Sequence, residues 1–115
     1  MIADARVLHP APRQAVLELL GEHDYASKDD VAWPLLSLVE ETELLVVDVS
    51  EAKFIDSSIL HNLVRADRAA RELGSSLRLQ VGTTPVVRRV LELSELLDRL
   101  DCVSSREEAL ASRMS

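Results

Sequence analysis

Apolar residues follow two different periods along the chain, and segments of the two kinds alternate. Short apolar or alternating runs predict strands at residues 5–8, 14–20, 44–49, 77–81 and near 99–103. Apolar residues spaced three and four apart predict helices that begin near residues 27, 57, 85 and 105. Such alternation is typical of an α/β domain with a central, mostly parallel sheet of four or five strands and about four helices. Only the N-terminal edge strand is expected to be antiparallel.

The helix predicted over residues 57–73 has the clearest pattern. Its apolar stripe consists of Ile59, Leu63, Ala66, Ala70 and Leu73, widened by Leu60 and Val64. Gly74 follows at the position where glycine commonly ends a helix. The preceding strand at 44–49 is nearly all apolar, which indicates a central place in the sheet.

The helix after Ser27 contains Pro34, which removes a helical hydrogen bond and crowds the preceding turn. The helix therefore either starts near Trp33 or is kinked at Pro34. Trp33 is interpreted as a packing residue, although an exposed tryptophan would indicate a contact surface. Residues 21–26 are expected to form a loop.

Composition narrows the functional class. The 115 residues carry a net charge of −7, which disfavours nucleic acid and anionic lipid as partners. Cys102 is the only cysteine, so neither an internal disulfide nor a cysteine-rich metal site is expected. No signal-peptide pattern and no apolar run of about 20 residues is found, so a cytoplasmic protein without membrane association is expected. Residues 1–115 are predicted to form one domain, with 1–12 as a short edge strand or a partly disordered segment.

Two serines and a carboxylate, Asp56-Ser57-Ser58, stand where a strand gives way to the helix at 57. A helix N-terminus presents unpaired N–H groups and partial positive charge, which favour an added phosphate. Any of the three residues can instead cap the helix. The pattern favours reversible phosphorylation over catalysis, since no paired general acid and base, phosphate-binding loop or metal-ligand spacing is present.

The strand, loop, Asp-Ser-Ser turn and helix at residues 46–58 resemble the signature of the STAS family, the sulfate transporter and anti-sigma factor antagonist domains. Residues 21–24 resemble the glycine–acidic loop of that family, and residues 84–91 resemble its third-helix segment. The resemblance covers roughly residues 14–112 and implies a single STAS domain.

The resemblance implies a stand-alone anti-sigma factor antagonist, a bacterial regulator of transcription and not an enzyme. It implies phosphorylation of Ser57, with Ser58 as second choice. The implied partners are an ATPase-type serine kinase that is itself an anti-sigma factor and a PP2C-type phosphatase that resets the switch. No cofactor and no metal are implied, and a monomer or weak dimer is expected. The expected partner-binding residues are Glu22, Asp24, Asp56, Ser57, Ser58, Ile59 and His61.

Two positions depart from the family pattern. Ile59 replaces a glycine and His61 replaces a small residue. Ile59 is expected to be partly exposed and to narrow the choice of partner. The departures also support an alternative role, as an adaptor subunit of a lipid-transport or stress-signalling assembly without phospho-switching.

A two-component receiver domain would need an acidic pair after an early strand and a lysine after the last strand. The only lysines are Lys28 and Lys53, which excludes this class. Asp48 is of interest because it interrupts a buried strand, where its carboxylate must find hydrogen-bond donors.

Overall fold

The structure of the chain, a computed structural model, describes residues 5–23, 28–82, 85–93 and 100–111. Its strands are β1 (Ala5–Leu8), β2 (Gln14–Leu19), β3 (Gly21–His23), β4 (Leu44–Asp48), β5 (Ala52–Ile55), β6 (Ser76–Gln80) and β7 (Cys102–Val103). Its helices are α1 (Lys28–Glu41), α2 (Ser57–Glu72), α3 (Pro85–Leu93) and α4 (Arg106–Leu110).

Five strands form the larger sheet, in the order β1-β2-β4-β6-β7. β1 runs antiparallel to β2, and the other neighbours are parallel. This arrangement confirms the predicted α/β class, the central place of β4 and the antiparallel N-terminal edge. The three parallel pairs require crossover connections, which contain α1, α2 and α3.

A second sheet of two parallel strands, β3 and β5, was not expected from the sequence. The prediction of a loop at residues 21–26 is wrong for Gly21–His23, which form β3, and residues 24–27 lie outside the described part of the chain. The register of the pair shifts, because Gly21 pairs with Ala52 whereas Glu22 pairs with Phe54. β5 therefore contains a bulge at Lys53.

The main apolar core lies between the larger sheet and the helices. It contains fully buried residues from β2, β4, β6, α1, α2 and α3, among them Leu17, Leu35, Val47, Leu63, Leu79 and Leu91. A smaller cluster on the other face of the sheet is covered by α4 and contains Val16, Val46, Val103 and Ala109.

Two helices differ from expectation. α1 begins at Lys28 and includes Pro34 in its interior, so of the two alternatives left open by the sequence, the start near Trp33 is wrong. Trp33 is 76 % exposed, and its interpretation as a packing residue is also wrong. In α2 the predicted stripe is buried except at its end, where Leu73 is the C-cap residue and is 59 % exposed. Gly74 follows with a φ of 76°, a left-handed conformation that glycine adopts without strain.

Candidate functional site

The Asp-Ser-Ser turn connects the end of β5 to the start of α2. β3 and β5 are parallel, so the segments after both strands leave the small sheet at the same edge. α1 and α2 both begin beyond this edge and pack against each other. The turn therefore lies where the small sheet ends and α2 begins.

Asp56 is the N-cap of α2. Its backbone is extended, with φ −106° and ψ −178°, and its Oδ1 accepts hydrogen bonds from Ser58 N at 3.0 Å and Ile59 N at 3.4 Å. These bonds satisfy two of the N–H groups that a helix start leaves without partners. Capping, which the sequence left open among three residues, is thus the role of Asp56.

The two serines lie in different environments. Ser58 is partly buried, and its Oγ donates a hydrogen bond to Asp56 Oδ1 at 2.5 Å. Ser57 is exposed as the first residue of α2, and no group among the described residues bonds to its hydroxyl. Of the two, Ser57 has the hydroxyl that an approaching enzyme can reach.

The next turn of α2 places Ile59 and His61 on opposite sides. Ile59 is fully buried in the main core, so its expected partial exposure is wrong. The apolar cluster extends to the first turn of the helix and covers this side chain. His61 is exposed and lies four residues after Ser57, so the two share one side of α2.

The acidic residues predicted in the neighbouring segment are only partly described. Glu22 belongs to β3, opposite Phe54 of β5, so its backbone lies in the small sheet. Asp24 lies outside the described residues. The structure therefore brings Glu22 into the sheet that ends at the Asp-Ser-Ser turn, and a contact role for both residues stays a prediction.

Phe54 is a candidate contact residue that the sequence did not reveal. It is 41 % exposed, two residues before Asp56, whereas the adjacent Ile55 is fully buried. Strand alternation between Phe54 and Ile55 would have found it, but only if β5 had been recognised.

Asp48 is buried and has the donors that its position in β4 requires. Its Oδ1 accepts hydrogen bonds from Ser50 N at 2.8 Å and Ser50 Oγ at 2.6 Å. Its Oδ2 lies 2.6 Å from Nη2 of Arg106 in α4. The predicted satisfaction of this carboxylate is confirmed.

Ligand-binding features are few in the described residues. No group of three or more His, Cys, Asp or Glu side chains is placed there to hold a metal ion.

A groove of about 300 Å³ lies along the second half of α2, lined by Val64, Asp67, Arg68, Arg71 and Leu100. Burial raises the pKa of Asp67 above its ordinary value, although Arg71 at 3.1 Å acts in the opposite direction. In this part of the chain, no helix combines the length and apolar character that a membrane crossing requires.

The family model for STAS domains matches residues 5–109 of the chain. The chain belongs to the STAS domain family. The match includes both sheets, the three crossover connections of the larger sheet and the Asp-Ser-Ser turn. No curated protein is similar enough in sequence to be counted as a relative.

Solved STAS structures share this fold. An anti-sigma factor antagonist from Mycobacterium paratuberculosis is 20 % identical, with a TM-score of 0.82 over 92 % of this chain and 89 % of that chain. The anti-sigma factor antagonist SpoIIAA in its unphosphorylated form is 18 % identical, with a TM-score of 0.77 over 92 % of both chains. The phosphorylated form of SpoIIAA from Bacillus is 18 % identical, with a TM-score of 0.71 over 92 % of this chain and 96 % of that chain. Likeness at these identities establishes the fold.

Proposed function

We propose that this STAS domain is an anti-sigma factor antagonist that binds an anti-sigma factor kinase and is switched by phosphorylation of Ser57. The observation that carries the proposal is the exposed hydroxyl of Ser57 at the start of α2, to which no described residue bonds, beside the hydroxyl of Ser58, which bonds to Asp56. The fold shared with anti-sigma factor antagonists, one of them in a phosphorylated form, supports the same role.

Phosphorylation of Ser57 acts at the surface and leaves the fold intact. A phosphate adds between about −1.5 and −2 charges at neutral pH, and the start of a helix tolerates an anion. Asp56 already accepts the N–H bonds of Ser58 and Ile59, so the phosphate has no need to displace the cap. The added charge and bulk then oppose binding of a partner that contacts this turn.

The proposed partners are an ATPase-type serine kinase that is itself the anti-sigma factor and a PP2C-type phosphatase that removes the phosphate. The contact surface consists of the Asp-Ser-Ser turn and the exposed residue one turn along α2, His61. Glu22 of the neighbouring strand β3 is proposed to extend it, as is Asp24, which lies outside the described residues. Ile59 takes no direct part, because its side chain is buried.

The test compares Ser57→Ala, Ser57→Asp and the matched control Ser58→Ala for binding to the ATPase-type anti-sigma factor kinases of the protein's own host. We expect Ser57→Ala to bind as the unphosphorylated protein does and to accept no phosphate. Ser57→Asp should bind at least tenfold more weakly, a loss of about 1.4 kcal/mol in binding free energy. Ser58→Ala should still be phosphorylated on Ser57. Equal affinity of the two Ser57 variants would contradict the switch.

The adaptor role in a lipid-transport or stress-signalling assembly is weaker on structural grounds. It rested on the replacements at positions 59 and 61, and the buried Ile59 does not alter the surface. A kinase that neither binds nor phosphorylates the protein would favour the adaptor role.

A further inference from the structure

The small sheet continues directly from two adjacent strands of the larger sheet. β2 ends at Leu19 and β3 begins at Gly21, while β4 ends at Asp48 and β5 begins at Ala52. The two connections touch, since Gly21 N donates to Glu51 O at 3.3 Å. We call this place the sheet junction, comprising Leu20 and residues 49–51. The geometry of the junction sets the direction in which β3 and β5 leave the larger sheet.

A polar cluster lies across the strands immediately before the sheet junction. Glu18, Asp48 and Gln80 are direct neighbours on three adjacent parallel strands, so their side chains lie on one face of the sheet. Arg106 spans all three. Its Nη2 lies 2.6 Å from Asp48 Oδ2 and 2.9 Å from Glu18 Oε2, and its Nε donates to Gln80 Oε1 at 2.7 Å.

The carboxylate of Asp48 connects Arg106 to the sheet junction itself. One of its oxygens faces Arg106, and the other accepts both bonds from Ser50, in the β4–β5 connection. The same connection is packed against Gly82, where an added Cβ would lie 2.6 Å from Ser50 Cβ. Ser50 is therefore held by hydrogen bonds to Asp48 on one side and closely approached by Gly82 on another.

We propose that Arg106 is a positioning residue for the partner-binding surface. By fixing the carboxylate of Asp48, it holds the sheet junction and thereby the orientation of the small sheet, which ends at the Ser57 turn. That this surface binds a partner rests on the function proposed above. A planar guanidinium suits this task, because its several N–H groups bond three acceptors at once. A lysine ammonium on its flexible stem is less suited to hold three acceptors in a fixed arrangement.

A purely structural role for Arg106, as the anchor of α4, makes a different prediction. α4 is held at its other end by Arg78, whose Nη1 donates to Ala109 O at 2.7 Å and Ala111 O at 2.8 Å. Within the part of the chain that the structure describes, Arg78 bonds to neither Asp48 nor Ser50, and it lies two residues before Gln80 on the same strand. The same substitution at both arginines therefore separates positioning of the junction from anchoring of α4.

The first test uses solution NMR of the full chain with Arg106→Gln, Arg78→Gln and the conservative Arg106→Lys. Residual dipolar couplings report the orientation of β3 and β5 relative to β2 and β4, and amide hydrogen exchange reports the bond from Ser50 N to Asp48. We expect Arg106→Gln to change the relative orientation and to speed exchange of the Ser50 amide at least tenfold relative to the Val49 amide, which donates to Gln80 O at 2.9 Å. Arg78→Gln should leave both readouts as in the wild type.

Arg106→Lys keeps the positive charge and should restore part of the Ser50 protection, and it serves as the main variant if Arg106→Gln fails to fold. Equal changes in the Arg106→Gln and Arg78→Gln proteins, or unchanged couplings and exchange in both, would overturn the positioning role. These readouts need no partner, so they stand whether or not Ser57 is phosphorylated.

The second test measures binding of the same variants to the kinases used above. We expect Arg106→Gln to bind at least fivefold more weakly and Arg78→Gln to bind within twofold of the wild type. Altered couplings with unchanged affinity would show that the junction does not position the partner-binding surface. Absence of binding by the wild type would instead count against the proposed function.

Discussion

At the scale of single residues, the Asp-Ser-Ser turn divides three tasks among three adjacent side chains. Asp56 caps α2, Ser58 bonds to the capping carboxylate, and Ser57 presents its hydroxyl to solvent. The cap fixes the start of the helix, so Ser57 occupies a defined place even though its own side chain makes no bond among the described residues.

This division predicts different costs for two neighbouring alanine substitutions. Asp56→Ala removes the N-cap and should lower the free energy of unfolding by about 1 kcal/mol, within a range of about 0.5–2. Ser57→Ala removes only an exposed hydroxyl and should change it by less than about 0.5 kcal/mol. Chemical denaturation of both proteins measures the difference. Equal losses would mean that Ser57 shares the capping role.

The buried face of α2 gives a second prediction. Ile59 and Leu63 are both fully buried in the main core. Ile59→Ala and Leu63→Ala should each cost about 2–4 kcal/mol, from lost transfer free energy and the cavity left behind. A loss below about 0.5 kcal/mol for Ile59→Ala would show that the residue is not a packing residue, since so small a loss is typical of surface sites.

The charge of Glu18 makes stability depend on pH. The hydrogen bond from Arg6 lowers the pKa of Glu18 below its ordinary value of 4.5, against a smaller opposing effect of burial, and Arg106 lowers it further. A lowered pKa in the folded state stabilises the protein above the ordinary pKa, and this contribution is lost as the pH falls through the folded-state pKa.

Glu18→Gln removes this dependence. Between about pH 5 and pH 3, the free energy of unfolding of the wild type should fall more steeply than that of the Glu18→Gln protein. Glu40→Gln, which removes an exposed carboxylate from α1, controls for the loss of one charge. Parallel pH profiles for the wild type and Glu18→Gln would contradict the ion pairs of Glu18.

At the scale of elements, the sequence predicted the strands of the larger sheet and missed those of the small one, for a physical reason. Central strands such as β4 are covered on both faces, so burial itself produces an apolar run. β3 has three residues and begins with glycine, while β5 has four residues and a bulge. The two middle residues of β5 are both exposed, so the alternation of buried and exposed residues that identifies a strand is missing.

Helix α1 shows packing prevailing over local preference. Proline in a helix interior removes one hydrogen bond, yet α1 continues through Pro34. Val31, Leu35, Leu38 and Val39 are buried on one face of α1, before and after the proline. That shared face favours a continuous helix, and the sequence pattern alone could not weigh it against the cost of the proline.

The role of Arg106 was beyond prediction from the sequence for a different reason. Its two carboxylate partners, Asp48 and Glu18, lie 58 and 88 positions away along the chain. The need of Asp48 for donors was predictable from its place in a buried strand. The identity of the donor depends on where α4 folds back onto the sheet, which is a property of the tertiary structure.

At the scale of the whole molecule, the exposed large apolar residues of the described chain are Val7, Trp33, Phe54 and Leu73, and two of them have similar exposure in different sheets. Phe54 is 41 % exposed beside the Asp-Ser-Ser turn, and Val7 is 39 % exposed on the edge strand β1 of the larger sheet. Their similar exposure and different location make them a matched pair. Aromatic residues exposed next to a contact site commonly carry much of the binding energy of an interface.

We therefore expect Phe54→Ala to weaken binding of the kinase by at least about 1 kcal/mol, or roughly fivefold. Val7→Ala should leave the affinity unchanged, because Val7 belongs to the edge strand of the larger sheet and not to the small sheet that leads to the turn. Titration calorimetry with both variants measures the effect, after denaturation has shown that each is folded. A larger loss of affinity for Val7→Ala than for Phe54→Ala would show that the partner does not bind beside the Asp-Ser-Ser turn.

The central claim is that Ser57 is the phosphate acceptor of this STAS domain. The most direct measurement is mass spectrometry of the protein purified from its own host, with fragmentation that separates Ser57 from Ser58. The account predicts phosphate on Ser57 in part of the molecules and none on Ser58, whose hydroxyl is engaged with Asp56. Phosphate on Ser58, on a residue outside this turn, or on no residue at all would contradict it.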